Sequence, residues 1–224
     1  MNKRLLILLC ALMCVCTEAM AERRIKLGAR AGLLSRSLTL DDKALNFTDA
    51  HGTAVQSYEK LNVESRYGFN AALVFRARVW QSKNEVEGAS LYVECDAEYA
   101  QNNIVIDARR ESDDTDFISS KITLRTVDVP VLLCMRASVV RLCAGPVLHA
   151  FRMYDVQSGD VNVNGANPIC GYTLGIGFDF GKVTLDGRYC GEFTKGSWDV
   201  SKSQTSAHLT GAMSSWCINL GVAF

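Results

Sequence analysis

Proline is scarce in this chain, with three in 224 residues, and so is histidine, also with three. No charge dominates: 24 Lys and Arg meet 24 Asp and Glu. Few prolines and 48% hydrophobic residues exclude a disordered, charge-driven chain. The charge balance excludes the basic footprint of a nucleic-acid binder and an acidic solvating tail. No C-x-x-C spacing occurs, and His51, His149 and His208 stand far apart, so no metal site is expected. Neither a phosphate-cradling G-x-x-x-x-G-K-S/T stretch nor H-E-x-x-H is present. Beyond the first stretch of the chain, nothing is apolar for the roughly 18 residues that would suggest a spanning helix.

The N-terminus has the three-part layout of a secretory signal peptide. Asn2-Lys3-Arg4 is basic, residues 5–16 are apolar, and Ala19-Met20-Ala21 is a small-x-small cleavage site. The expectation is a leader over residues 1–21, cut after Ala21, and a single mature domain over 22–224. Cys10, Cys14 and Cys16 leave with it. Cys95, Cys134, Cys143, Cys170, Cys190 and Cys217 then reach a compartment where disulfides persist.

The mature chain alternates with a period of two. Trp216, Ile218, Leu220, Val222 and Phe224 share one face, and Ser215, Cys217, Asn219, Gly221 and Ala223 the other. Tyr172, Leu174, Ile176, Phe178 and Phe180 alternate with Gly171, Thr173, Gly175, Gly177 and Asp179. Such alternation is a strand with one face in an apolar medium. Eight such segments are expected, at about 24–37, 65–80, 87–101, 118–137, 140–154, 169–180, 182–194 and 209–224. Tight turns join the second to the third, the fourth to the fifth and the sixth to the seventh. Polar loops at about 38–64, 102–117, 155–168 and 195–208 join the rest. Short turns at one end and long loops at the other mark an up-and-down meander.

The polar face carries Lys26, Arg30, Arg76, Arg78, Glu94, Asp96, Glu98, Arg125, Asp186, Arg188 and Glu192. A soluble barrel keeps its interior apolar and turns charge outward; a membrane barrel inverts this. Segments of ten residues or more, a polar face rich in small residues, and a chain ending in an aromatic-edged strand favour the inverted arrangement. The fold expected is therefore all-β: an eight-stranded antiparallel transmembrane β-barrel behind a cleaved leader. A small solute pore or transporter and a soluble exported ligand-binding barrel are the alternatives.

Asp128-Val129-Pro130-Val131-Leu132-Leu133 and then Arg141-Leu142-Cys143-Ala144-Gly145-Pro146-Val147 resemble the central hairpin of the PorT-like outer-membrane β-barrel family, among the small barrels of porin type. Gly175-Ile176-Gly177-Phe178-Asp179-Phe180, Leu185-Asp186-Gly187-Arg188-Tyr189 and Leu220-Gly221-Val222-Ala223-Phe224 are similar to its later strands, and Lys26-Leu27-Gly28-Ala29-Arg30-Ala31-Gly32 to its first. The resemblance implies an outer-membrane protein of a Gram-negative cell, with secretion or envelope proteins as partners.

Eight strands leave an interior filled by its own side chains. Arg30, Arg76, Arg78, Glu94, Asp96, Arg188 and Glu192 are expected to pair inside it as a structural network, and Trp216, Ile218, Leu220, Val222 and Phe224 to face lipid. A two-residue turn at Ser138-Val139 sets Arg136 opposite Arg141 and Cys134 opposite Cys143, a candidate disulfide. Cys190 and Cys217, inward on adjacent strands, form a second candidate. Asp107, Glu111, Asp113, Asp114 and Asp116 crowd one loop, where a solvated acidic run is favoured over a Ca²⁺ site. No cofactor, no metal and no nucleic-acid partner is expected. No histidine lies in a catalytic motif, so an envelope structural or interaction component without enzymatic activity is expected. Its partners would be outer-membrane lipid and, during insertion, the barrel assembly machinery.

Overall fold

The computed structural model describes residues 25–41, 44–49, 53–58, 60–82, 89–109, 117–158, 162–166, 170–202 and 205–224. The expected leader, residues 1–21, falls outside them. Each alternating segment forms a strand: β1 (Ile25–Leu40), β5 (Gly68–Gln81), β6 (Ser90–Arg109), β7 (Phe117–Ala137), β8 (Val140–Ser158), β10 (Cys170–Phe180), β11 (Val183–Glu192) and β13 (Thr205–Ala223). They pair antiparallel in the order β1-β5-β6-β7-β8-β10-β11-β13, and β13 returns to β1 through Ala31↔Leu220 and its neighbours. The eight-stranded ring is closed, so it has no unpaired edge of the kind hydrocarbon does not tolerate.

Alternation fixes which side faces out. Trp216 is 65% exposed, Ile218 68%, Leu220 62% and Phe224 72%, while Cys217 and Asn219 between them are buried. Leu27, Leu33, Leu73, Leu133, Leu148, Leu174 and Ile176 continue the outward apolar surface around the ring. Trp216 to Phe224 spans about 21 Å along the barrel axis at a tilt of about 40°, close to the roughly 25 Å apolar band of such barrels. An aromatic girdle rims its upper edge: Phe69 and Tyr99 have ring centroids 6.1 Å apart, Tyr172 and Tyr189 6.0 Å, and Tyr189 and Trp216 4.8 Å.

Two short turns occupy the opposite end. Gly181 has φ 64° and Ser138 φ 54°, each at the first central position of a two-residue hairpin. A positive φ there matches the strand twist; glycine adopts it freely and serine at a cost.

The long connections differ from expectation. Much of what the alternation left as polar loop is strand. β6 and β7 stay paired up to Arg109↔Phe117, and β8 continues to Ser158. β4 (Lys60–Ser65) lines up on the upper part of β6, β12 (Gly196–Lys202) on that of β13, and β9 (Asn162–Ala166) on β12. β2 (Leu45–Thr48) and β3 (Ala54–Tyr58) form a hairpin that touches β13 at Thr48↔Ser206. The barrel wall therefore rises past the girdle into a second storey, the head. Alternation persists there with its sense reversed: along β6 the outward residues become Gln101, Asn103 and Asp107, and the inward ones Ile104, Ile106 and Ala108. Phe47, Tyr58, Ile118, Ile122, Leu124, Trp198, Val200 and Leu209 join these in one buried apolar cluster.

Candidate functional site

Inside the lipid-level half the side chains are ionic. Glu94 on β6 is the hub, fully buried, and accepts from Arg76 Nε at 2.5 Å, from Arg188 and, at 3.4 Å, from Arg30 Nη1. Asp96 accepts from Arg188 Nη1 at 2.9 Å and from Arg30 Nη1 at 2.8 Å. Glu98 takes Arg30 Nη2 at 2.5 Å and Asn70 Nδ2 at 3.0 Å. β6 and β11 face each other across the ring, so Arg188 crosses the lumen. Arg141 on β8, fully buried, binds Asp179 at 2.9 Å and pairs with Asp186. Gly177 makes room for that pair, since a Cβ there would lie 2.6 Å from Asp186 Oδ1 and 2.7 Å from Arg141 Nη2. Four arginines and five carboxylates thus interlock across β1, β5, β6, β8, β10 and β11.

A second polar tier lies above it, at girdle height. Asp128 accepts from His149 Nδ1 at 2.7 Å and lies 3.8 Å from Arg36, whose Nη2 donates to Thr126 at 2.6 Å. Arg152 pairs with Glu192, and the other Glu192 oxygen accepts the Met213 N–H at 2.9 Å. All of these but Thr126 border a cavity of about 40 Å³ with Pro130, Val147 and Thr173. Tyr154 receives the Trp198 indole N–H at 3.0 Å, joining this tier to the apolar head.

The expected network residues divide accordingly. Arg30, Arg76, Glu94, Asp96 and Arg188 meet in the lower tier; Glu192 lies in the upper one. Arg78 stands apart, donating to Gln81 at 2.5 Å near the short turns, because a bulge after it breaks the β5–β6 register. Cys134 and Cys143 are opposite each other and joined, with S–S 2.05 Å, beside Tyr92 and Leu132. Cys190 and Cys217 are free thiols, which corrects the second expected pairing. The register sets Cys190 opposite Ser215 and Cys217 opposite Arg188, so the two are only diagonal neighbours. Cys95 and Cys170 take part in no disulfide among the described residues.

Sequence reasoning left out Arg141, Asp179, Glu98, Arg36, Asp128, His149 and Arg152 as network members. Glu98 and Asp179 already stood on the polar phase; parity would also have found Arg36, Asp128, Arg141 and His149, but not Arg152, because a bulge at Ala150 switches the inward phase of β8. Arg125, counted on the polar phase, instead faces outward, 3.7 Å from Asp155. Of the acidic loop, Asp107 is on β6 opposite Ser119, and Glu111, Asp113, Asp114, Asp116 and also His51 lie outside the described residues. His208 binds Asp199 at 2.7 Å on the exposed face of the head. Glu94, Cys134 and Cys143 place one carboxylate oxygen and two sulfurs within 4.8 Å of one another. The sulfurs are bonded to each other and the carboxylate is held by arginines, so this trio presents no thiolate to a metal.

No protein-family model matches the chain, and no curated protein matches it. Solved structures do. The outer membrane protein OprG from Pseudomonas aeruginosa aligns over 89% of this chain and 95% of its own, at TM-score 0.50 and 11% identity. Ail, the attachment invasion locus protein of Yersinia pestis, aligns over 90% and 99%, at TM-score 0.36 and 11% identity. The outer membrane protease OmpT from Escherichia coli aligns over 90% and 97%, at TM-score 0.43 and 10% identity. The fold is that of small outer-membrane β-barrel proteins. One expectation is corrected here. The absence of a catalytic motif led to an expectation of no enzymatic activity; that expectation does not stand, because a fold does not decide activity.

Proposed function

We propose that this protein is an integral outer-membrane barrel of a Gram-negative cell, exported by a leader cut after Ala21. It acts as an envelope interaction component through its head, in the secretion-associated manner that the PorT-like hairpin at Asp128–Pro130 and Gly145–Val147 implies. The observation that carries this reading is the double closure of the lumen. Arg188 ties opposite walls together beneath, and buried Phe47, Leu124, Trp198 and Leu209 fill the head above. A barrel closed at both levels has no continuous water path, so its working surface is what it displays. The displayed surface is a raised β-wall with polar residues outward and a rigid apolar core behind it. Outer-membrane lipid surrounds the band, and the barrel assembly machinery would insert it.

Planar-bilayer recording of the purified protein tests the closure: a flat baseline is expected, and steady open steps would favour the pore reading. Fractionation tests the setting, since the chain should leave the membrane only with detergent. Release by salt or carbonate alone would favour the soluble exported barrel. Co-purification from native membranes, comparing the intact protein with one lacking residues 197–210, tests the head as the partner surface.

A further inference from the structure

The end of the barrel with the short turns carries positive charge that no acid among the described residues neutralises. A cavity of about 70 Å³ opens there, bordered by Lys26, Arg76, Arg78, Ser90, Tyr92, Arg136 and Asp179. The same measure gives one water roughly 10–15 Å³, so the space suits a tetrahedral oxyanion. Four cations face one carboxylate, and Asp179 is already held by Arg141 at 2.9 Å. Arg76 is matched by Glu94, but Lys26, Arg78 and Arg136 meet no acid among the described residues. Arg78 and Arg136 reach only neutral oxygens, of Gln81 at 2.5 Å and Ser138 at 2.8 Å.

The register makes this more than a loose scatter of surface charge. Lys26 is the cross-strand partner of Arg76, and Arg136 that of Arg141. Like charges set directly opposite destabilise a sheet, and here Lys26, Arg76 and Arg136 of these two pairs border one cavity in a chain of zero net charge. A second feature points into the same space. Tyr92 is 7% exposed and borders this space; its hydroxyl lies near the Arg141 guanidinium but makes no well-aligned hydrogen bond. Three cations that meet no acid among the described residues, beside a buried phenol without a well-aligned partner, suit a multivalent oxygen acceptor, which guanidinium forks bind well.

We propose that this mouth is a binding site for a dianionic phosphate group, supplied either as a soluble phosphate or as a phosphomonoester lipid headgroup. The anion would sit between Lys26, Arg78 and Arg136 with Tyr92 donating from beneath, relieving both like-charge pairs. This site lies at the opposite end from the head and does not depend on the function proposed for it.

The test uses the intact protein in lipid-free detergent and in nanodiscs. In detergent, inorganic phosphate and pyrophosphate should raise the melting temperature saturably above chloride of equal ionic strength, pyrophosphate at the lower concentration. In nanodiscs, phosphatidic acid should do so relative to phosphatidylcholine if the group arrives on a lipid. A positive result in either arm supports the site and names its source. The variant K26Q/R136Q carries the sharper expectation. It should melt above the wild type in phosphate-free buffer, because repulsion is removed, yet bind phosphate about tenfold or more weakly per cation lost. R78Q, with a half-buried side chain, provides the same affinity test should the double variant fold poorly. Absence of a saturable phosphate effect in both arms, or an effect unchanged in both variants, would overturn the proposal.

Discussion

The two storeys of the barrel solve one packing problem in opposite ways. At lipid level the outside is apolar, so the core must be made from what remains, and it is made of paired charge: Arg30, Arg76, Arg141 and Arg188 against Glu94, Asp96, Glu98, Asp179 and Asp186. Above the girdle the outside meets water, and the core reverts to Ile104, Ile106, Leu124, Trp198 and Leu209. The wall is continuous across that boundary; only the sense of the alternation changes. The medium outside therefore dictates the chemistry inside, strand by strand. The energetic consequences differ. Buried ion pairs contribute little net stability but are costly to break singly, whereas an apolar core loses stability in proportion to what is removed.

Breaking the hub should have the largest effect. Glu94→Leu leaves Arg76 and Arg188 without their shared carboxylate and should cost about 3–5 kcal/mol, read as loss of the heat-resistant folded band on unboiled gels. A cost under about 1 kcal/mol would mean the lower core is wet and screened. In the head, Leu124→Ala should cost about 3 kcal/mol, and the loss should stay local. Limited proteolysis of the detergent-solubilised variant should nick the head while the lipid-level strands remain protected. Simultaneous digestion of both storeys would show that they unfold as one unit and erase the contrast.

The same boundary explains what was legible in the sequence. All eight ring strands were readable, since each has an unbroken apolar phase such as Leu27 to Leu33 or Val127 to Met135. The head strands were not. From Ala100 onward in β6 the apolar residues move to the other phase, which looks like the end of a strand when only an outward apolar face is sought. Seen with the phase reversed, Ile104, Ile106 and Ala108 form as regular a stripe as the one below. For the interior, the sequence identified the type of residue but not its partner. Which arginine meets which acid depends on the order of strands around the ring and on the stagger between them, as Arg188 with Glu94 shows across the lumen.

The Cys134–Cys143 bridge sharpens the comparison, because it forms an apolar island with Tyr92 and Leu132 inside the charged half. It closes a short loop, with a sequence separation of 9, and the chain-entropy contribution of such a link is about 2.5 kcal/mol. The double variant C134A/C143A should lower stability by that order without altering the ion pairs above. Denaturant titration of the wild type with and without reductant should give the same difference. An unchanged midpoint would mean the lower storey is held by its charges alone.

The smallest effect lies where the head meets water, and it separates exposed ion pairs from the enclosed network. Asp41 accepts from Lys195 Nζ at 2.8 Å and from Thr210 at 3.2 Å, and these contacts hold its carboxyl below the usual aspartate range. A carboxylate depressed on folding adds stability above its unfolded pKa, near 4, and that contribution disappears as the pH falls through the lower folded value. Stability of the head should therefore drop slightly as the pH falls below about 4, and Asp41→Asn should remove that step. Salt should weaken it as well, because both partners are solvated. The lipid-level network, buried around Glu94, should show a much weaker dependence on salt. Proteolysis of the head at graded pH and salt, in the wild type and D41N, measures both at once. Equal salt sensitivity of the two storeys would mean that water reaches Glu94 as freely as it reaches Asp41.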